Sequence, residues 1–302
     1  MGSDAGNTGH TGHTSALLAE TLELLAVRPG GLWVDGTVGL GGHAAAILRA
    51  SAPDGRLVGL DKDGETLLRA RATLAEFAGR ARLEQADYRA IPETLGGEQA
   101  DGILLDLGIS SAQLDDPERG FSFQAEGPLD MRMDRSRGET AADVVNRMRE
   151  TELADVIYQY GEERASRRIA RAIVRERERE PIRSTTRLAE IVRSAAGRSR
   201  RPGLHPATCT FQALRIRVNR ELEGLGEALE RAALCLAPGG RMAVIAFHSL
   251  EDRTVKRSFR ALALRGFRLL TKKPLRPGEV ETRSNPRARS ARLRGLAREE
   301  GA

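Results

Sequence analysis

Between Gly31 and Leu107 short apolar runs alternate with amphipathic stretches, and each run closes on or beside an aspartate. Leu32–Asp35, Arg56–Asp61, Ala81–Asp87 and Ile103–Leu107 read as strands, while Ala44–Ala50 and Glu65–Phe77 have helical spacing. Strands separated by helices of this length pair in parallel through crossovers, which predicts an α/β fold built on an open, doubly wound sheet. Ligands bind such sheets outside the carboxyl ends of the strands. Asp35, Asp61, Asp87 and Asp106 are therefore expected to converge on one crevice. Helix capping accounts for any one of these acids, but less readily for all four.

The first strand breaks into Gly36-Thr37-Val38-Gly39-Leu40-Gly41-Gly42-His43. Backbone amides of a glycine-rich turn at the start of a helix face a nucleotide-like ligand. Gly39 to Ala44 satisfies G-x-G-x-x-G/A, and Asp61 follows near the spacing of a ribose-binding acid, so an NAD-dependent oxidoreductase is one alternative. Asp35 tilts the choice, because a carboxylate at the mouth of the turn repels a pyrophosphate and suits a cationic cofactor. S-adenosylmethionine, a sulfonium, is such a cofactor.

The chain has 302 residues, 40% apolar and 30% charged, enough for one large or two modest globular domains. It contains no apolar run of the roughly 18 residues a membrane span needs. Residues 1–12 are polar and glycine-rich without a signal-peptide core, so they read as a disordered leader and the protein as cytoplasmic. Cys209 and Cys235 are isolated, so reduced thiols and no metal are expected. A net charge of +6 favours a polyanionic partner such as nucleic acid. From Arg253 to Arg298 fifteen Lys or Arg residues face two acids, Glu279 and Glu281, which marks this end for phosphate contact. Only 4% of residues are aromatic, which argues against an extended base-stacking platform.

After Asp106 the alternation stops. Leu153, Val156, Ile157 and Tyr160, then Ile169, Ala172 and Ile173, then Leu188, Ile191 and Val192 fall at helical spacing. Residues 112–206 are thus expected to form an inserted all-helical domain, within a sheet domain made of residues 13–111 and 207–302. The Arg/Glu-rich stretch Glu162–Glu180 reads as a solvated helix face. One long helix, Gln212–Leu236, is expected to stop at Pro238-Gly239-Gly240, followed by a buried strand Met242–Phe247 and a helix Glu251–Arg265. Phe267–Leu270 and Ala288–Leu296 are expected to supply the last two strands.

Asp106-Leu107-Gly108-Ile109-Ser110-Ser111-Ala112-Gln113-Leu114-Asp115 does not stand alone. Together with Asp35-Gly36-Thr37, Gly41-Gly42-His43, Arg119-Gly120-Phe121-Ser122-Phe123, Tyr160-Gly161-Glu162-Glu163-Arg164, Phe247-His248-Ser249-Leu250-Glu251-Asp252-Arg253 and Asn285-Pro286-Arg287-Ala288-Arg289-Ser290, it runs in unbroken order to the end of the chain. On these residues the chain resembles the ribosomal RNA small subunit methyltransferase H (MraW) family. The resemblance implies a Rossmann-like class I methyltransferase sheet that uses S-adenosylmethionine to methylate the exocyclic N4 of a cytidine in the decoding (P-site) region of 16S rRNA. It implies cofactor contacts at Gly41, Gly42, His43, Asp61, Tyr88, Asp106 and Gln113. The expected partner is 16S rRNA within the small subunit, with no membrane and a homodimer left open. A non-catalytic assembly factor on the same scaffold is the other alternative.

Asp61 suits both ribose hydroxyls and Tyr88 the adenine face. His43 is expected to offer its backbone amide to the methionine end, with general-base chemistry as the bolder reading of its imidazole. The N4 lone pair of cytosine is delocalised into the ring, so an acceptor aimed at the amino protons must localise it as the methyl arrives. Amino-methyltransferases acting on DNA place D/N/S-P-P-Y/F at the end of the fourth strand. Asp106-Leu107-Gly108-Ile109 stands there without the prolines or the ring, so Asp106 becomes the candidate for orienting the amine. Phe121 or Phe123 could stack on a rotated cytidine, or anchor the insertion. His248, with the cofactor-side acids, is a candidate for catalysis or base contact; Ser249, Arg215 and Asn219 are candidates for the substrate. Asp130, Arg132 and Asp134 read as an ion-pair knot in preference to a magnesium site.

Overall fold

A computed structural model describes residues 15–197 and 205–301, so the expected leader 1–12 lies outside the described residues. Seven strands form one sheet: β1 (Leu32–Asp35), β2 (Arg56–Asp61), β3 (Ala81–Gln85), β4 (Ala100–Asp106), β5 (Leu236–Ala246), β6 (Phe267–Leu269) and β7 (Arg292–Arg298). Their order is β3-β2-β1-β4-β5-β7-β6. β1 to β5 pair in parallel, and β7 runs antiparallel to both of its neighbours. This is the Rossmann-like class I methyltransferase sheet expected above, with its order reversing beside β1 and β4.

Helix α1 (Leu18–Leu25) packs on β5 and β7, while α2 (Gly42–Ala50), α3 (Gly64–Thr73) and α4 (Ile91–Leu95) connect β1 to β4 in turn. Helices α5 (Ser111–Asp115), α6 (Ala141–Arg147), α7 (Glu150–Gly161), α8 (Ser166–Arg177) and α9 (Thr185–Ala196) follow β4. The chain then returns through α10 (Thr208–Asn219) and α11 (Leu225–Leu234), with α12 (Ser249–Leu262) and α13 (Glu279–Ser284) completing it. No helix among the described residues is long and apolar enough to cross a membrane.

The central strands read as nearly unbroken apolar runs because both faces of the sheet are covered. Alternate residues divide between two cores. Ile103 and Leu105 join Val34, Val244 and Phe259 on one face, while Leu104 joins Trp33, Leu57 and Ile245 on the other. Gly102 makes room for the indole, since a Cβ there would lie 2.6 Å from the Trp33 ring. A third core belongs to the helices after β4: Leu153, Ile157, Ile169, Ile173 and Leu188 pack together, as their spacing predicts. Phe211 and Leu214 of α10 enter this same core, where α10 packs against α7 and α6 although it follows them in the chain.

Several boundaries differ from expectation. The single helix Gln212–Leu236 is two helices, because Arg220 adopts a left-handed conformation (φ 50°) and Gly224 another (φ 65°). Glu221 is thereby turned back to grip Arg215, a tertiary contact that no local periodicity encodes. Strand β5 begins at Leu236, before Pro238-Gly239-Gly240, and its register with β4 shifts between Ala100 and Gly102 to absorb that turn. The last strand starts at Arg292, since 286–290 coil into a 3₁₀ turn that buries Ala288. β3 stops at Gln85, and Asp87 instead caps the turn 88–90 by accepting from the Arg89 amide at 3.0 Å.

Candidate active site

A cavity of about 540 Å³ opens where the carboxyl ends of β1, β2 and β4 meet the insertion, within the size range of small-molecule sites. Its lining includes Gly42, His43, Asp61, Tyr88, Asp106, Gln113, Phe121, Phe123, Arg215 and His248, together with Arg287 and Ser290 of the chain's last turn. Gly41, Asn219 and Ser249 lie outside the lining.

The turn after β1 is shaped by glycine. Gly39 (φ 55°) and Gly41 (φ 87°) are left-handed, a conformation other residues resist, and Gly41 caps α2 without any side-chain acceptor. The first amides of α2 are thus left without a capping side chain, as a ligand at a helix N-terminus requires.

Asp61 is held by two backbone amides: Oδ2 accepts from Gly39 and Oδ1 from Asp63, each at 2.9 Å. Each oxygen keeps a further lone pair, so the fixed carboxylate suits two adjacent hydroxyls. Burial pushes its pKa up. Tyr88, half-buried, carries the Arg89 guanidinium 4.9 Å from its ring centroid. Arg89 Nη1 also bridges both Asp87 oxygens at 2.9 and 2.8 Å, which places a positive charge against that acid.

Asp106 ends β4, where its amide donates to Thr37 Oγ1 at 2.6 Å. Its Oδ2 lies 3.6 Å from His43 Nε2, and Oδ1 has no hydrogen-bond partner among the described residues. Behind it Asp35 is 1% exposed, and burial pushes its carboxyl up to about 7. Burial disfavours the His43 imidazolium, but Asp106 and Asp35 outweigh that and raise its pKa.

Gln113 faces the cavity but is also built into the scaffold. Its Oε1 accepts from the Ser110 amide and its Nε2 donates to Asp63 Oδ2 at 2.7 Å. Arg119, 3% exposed, donates to the same Asp63 oxygen at 2.8 Å and to the carbonyls of Arg132 and Met133. A buried cation thus ties the turn after β2 to the insertion. Arg119 stands in the Arg-Gly-Phe-Ser-Phe motif, and its role comes from a partner distant in the chain that the motif does not name.

On the insertion side, Phe121 is buried in the helical core, whereas Phe123 packs against His205 and Phe211, both at 4.7 Å. Arg215 forks onto Glu221 at 3.0 and 2.9 Å. Asn219 spends its amide on the insertion, accepting from the Met133 amide at 2.8 Å and donating to the Met131 carbonyl at 2.7 Å. Ser249 donates to Glu162 Oε2 at 2.6 Å, a link from α12 to the end of α7. Asp130 pairs bidentately with Arg132, and Asp134 pairs with Arg137 instead.

His248 caps α12, its Nδ1 accepting from the Glu251 amide at 3.3 Å, and its Nε2 lies 3.2 Å from Glu251 Oε1. Burial would raise the Glu251 pKa, but His248 and Arg215 outweigh it and hold the carboxyl below its usual range. Glu221, His248 and Glu251 could together hold a metal ion, their ligating atoms lying within 4.8 Å of one another. Arg215 already supplies a positive charge to that cluster. Neither glutamate was singled out from the sequence as a site residue.

The basic end of the chain forms a stripe. Arg253, Lys256, Arg257 and Arg260 are exposed at i, i+3, i+4, i+7 of α12, opposite the buried Val255, Phe259 and Leu262. Arg253 pairs with Glu162, while Lys256, Arg257 and Arg260 have no ion-pair partner among the described residues.

The MraW methylase family model matches residues 10–299. Ribosomal RNA small subunit methyltransferase H of Syntrophotalea carbinolica is 52% identical over 304 residues, covering 94% of this chain and 97% of its own. The protein of the same name from Gloeobacter violaceus is 54% identical over 285 residues, covering 94% and 87%. A crystal structure of a Clostridium thermocellum protein assigned as an rRNA methylase shares the fold at a TM-score of 0.50 and 11% identity, covering 95% of this chain and 99% of that one. Matched along nearly its whole length, the chain belongs to the MraW methylase family of S-adenosylmethionine-dependent methyltransferases.

Proposed function

We propose that the protein transfers a methyl group from S-adenosylmethionine to the exocyclic N4 of a cytidine in the decoding (P-site) region of 16S rRNA, acting on the small ribosomal subunit in the cytoplasm. The observation that carries the chemistry is Asp106: a carboxylate at the carboxyl end of β4, partly exposed to the cavity and beside the glycine turn. Relatives named as small-subunit rRNA methyltransferases and the basic stripe on α12 support the substrate.

S-adenosylmethionine supplies a methyl group already activated on a sulfonium sulfur. The chain's own residues bind and orient. Asp61, fixed by two amides, is placed for the ribose hydroxyls; the Tyr88 ring is placed for the adenine; the α2 N-terminus takes the methionine carboxylate. The acids of the crevice favour a cation there. Asp106 accepts a hydrogen bond from the amino group, which concentrates the lone pair on N4 and directs it at the methyl. Phe123, already in an aromatic cluster with Phe211, offers a face on which the rotated base can stack.

The test is transfer of labelled methyl to small subunits purified from cells lacking the gene, followed by mass spectrometry of the rRNA. N4-methylcytidine at one site is the expected product. No transfer would leave the protein as an assembly factor, and methyl on another atom would refute the assigned chemistry.

A further inference from the structure

Four buried polar atoms of one cluster make no well-formed hydrogen bond among the described residues: Asp35 Oδ2, His43 Nδ1 and Nε2, and Asp106 Oδ1, with the Asp106 contact to Nε2 stretched to 3.6 Å. Unpartnered buried polar groups are rare and costly, so four in one place call for a function. The cluster spans the floor of the site. Asp35 lies beneath at 1% exposure, His43 at 5% forms the first turn of α2, and Asp106 reaches the cavity with a side chain 26% exposed.

Resting on the methyltransferase reading, we infer that the Asp35–His43–Asp106 cluster is a proton site that answers to the cofactor's charge. It holds a proton when the crevice lacks a sulfonium, yields it when the sulfonium binds, and receives the amine's proton after transfer.

The chemistry balances. The bond from N4 to the methyl carbon forms, and the sulfur–methyl bond breaks with its electron pair left on sulfur. The sulfonium charge disappears, and the product amine must shed one proton. That proton passes to Asp106 Oδ2 and on to His43 Nε2, 3.6 Å away. One positive charge therefore stays in the crevice throughout, first on sulfur and then on the imidazole.

Electrostatics supports this assignment. The charged groups facing His43 are Asp35 on β1 and Asp106 on β4, with a backbone contribution from Ala16 ahead of α1; Asp61 on β2 faces Asp35 and is countered by Lys62. Asp35 and Asp106 raise the His43 pKa against its burial, and Asp35 itself is pushed by burial to about 7. The cluster therefore holds a proton near neutral pH, and a cation brought beside it weakens that hold.

The test compares S-adenosylmethionine with S-adenosylhomocysteine, which lacks the sulfonium but shares every other titrating group. Calorimetry in buffers of different ionisation enthalpy counts the protons released. Binding of the sulfonium is expected to release up to about one proton more than binding of the thioether near pH 7, so its Kd falls by up to about tenfold per pH unit as pH rises through that range. The His43 imidazole, followed by ¹⁵N NMR, should lose its proton with the first ligand and keep it with the second. His43→Gln should abolish the difference. Equal proton counts with both ligands bound would overturn this inference alone, whereas failure of both to bind would overturn the cofactor reading too.

Discussion

Asp63→Asn tests how the insertion is held to the sheet domain. The Asp63 carboxylate accepts from the Glu65 and Thr66 amides at 3.0 and 3.3 Å, from Thr66 Oγ1 at 2.8 Å, from Gln113 at 2.7 Å and from Arg119 at 2.8 Å. Asparagine keeps the shape and still caps α3, since the two are near equal at that position. What it removes is the charge opposite Arg119, in a pair whose side chains are 4% and 3% exposed, along with the Oδ2 acceptor that Thr66, Gln113 and Arg119 share. Breaking such a pair from one side costs about 3–5 kcal/mol, because the other charge stays buried. Glu65 lies 3.5 Å from the same guanidinium but is 63% exposed, so screening limits its compensation to under about 1 kcal/mol. Urea unfolding should therefore show a loss of about 3 kcal/mol, and adding Arg119→Met should restore part of it. A loss below about 1 kcal/mol, or strict additivity in the double variant, would refute the buried pair as the link. The acid limb gives a second check. Burial would raise the Asp63 pKa, but Gln113, Thr66 and Arg119 outweigh it and hold the carboxyl below its usual value. Its contribution is then complete above the unfolded pKa and lost as pH falls through the folded one.

Asp61→Ala removes the expected ribose acceptor, and losing a charged hydrogen-bond partner worth about 1.5–3 kcal/mol should weaken S-adenosylmethionine binding by about 10- to 150-fold in calorimetry. An unchanged Kd would move the ribose elsewhere. Asp106→Ala should abolish turnover while the cofactor still binds; near-normal single-turnover rates would mean that other groups orient the amine. Lys256→Glu with Arg257→Glu should weaken binding to small-subunit RNA and reduce the slope of log K against log salt by about 0.7–0.9 per lost phosphate contact. An unaltered slope would take the stripe on α12 out of the RNA interface.

Strands β1, β2 and β4 were legible from sequence because burial on both faces demands continuous apolar runs, and the glycine turn was legible because few other residues accept its φ. The insertion's core was legible from helical spacing alone. Arg220 was not, since an arginine has no local preference for φ 50°; its conformation follows from Glu221 folding back on Arg215. Neither was the role of Arg119, whose partner Asp63 lies 56 positions earlier and whose other contacts are backbone carbonyls. Ala288 looked like strand by its apolar character, but its burial is achieved in a 3₁₀ turn that seats Arg287 at the cavity.

The four strand-end acids show the limit most clearly. Their convergence follows from topology, since parallel strands point their carboxyl ends the same way. Their division of labour follows from neighbours that topology does not name. Arg89 pairs with Asp87, two amides fix Asp61, and burial pushes the Asp35 carboxyl up to about 7. Asp106 alone combines an unpartnered oxygen with exposure to the cavity and an imidazole behind it. A crevice with four fully charged carboxylates would repel itself and bind cations without discrimination. Distributing the acids among a guanidinium, amides, a buried protonatable pair and open solvent gives each carboxylate a different partner, and only Asp106 faces the cavity with an imidazole behind it.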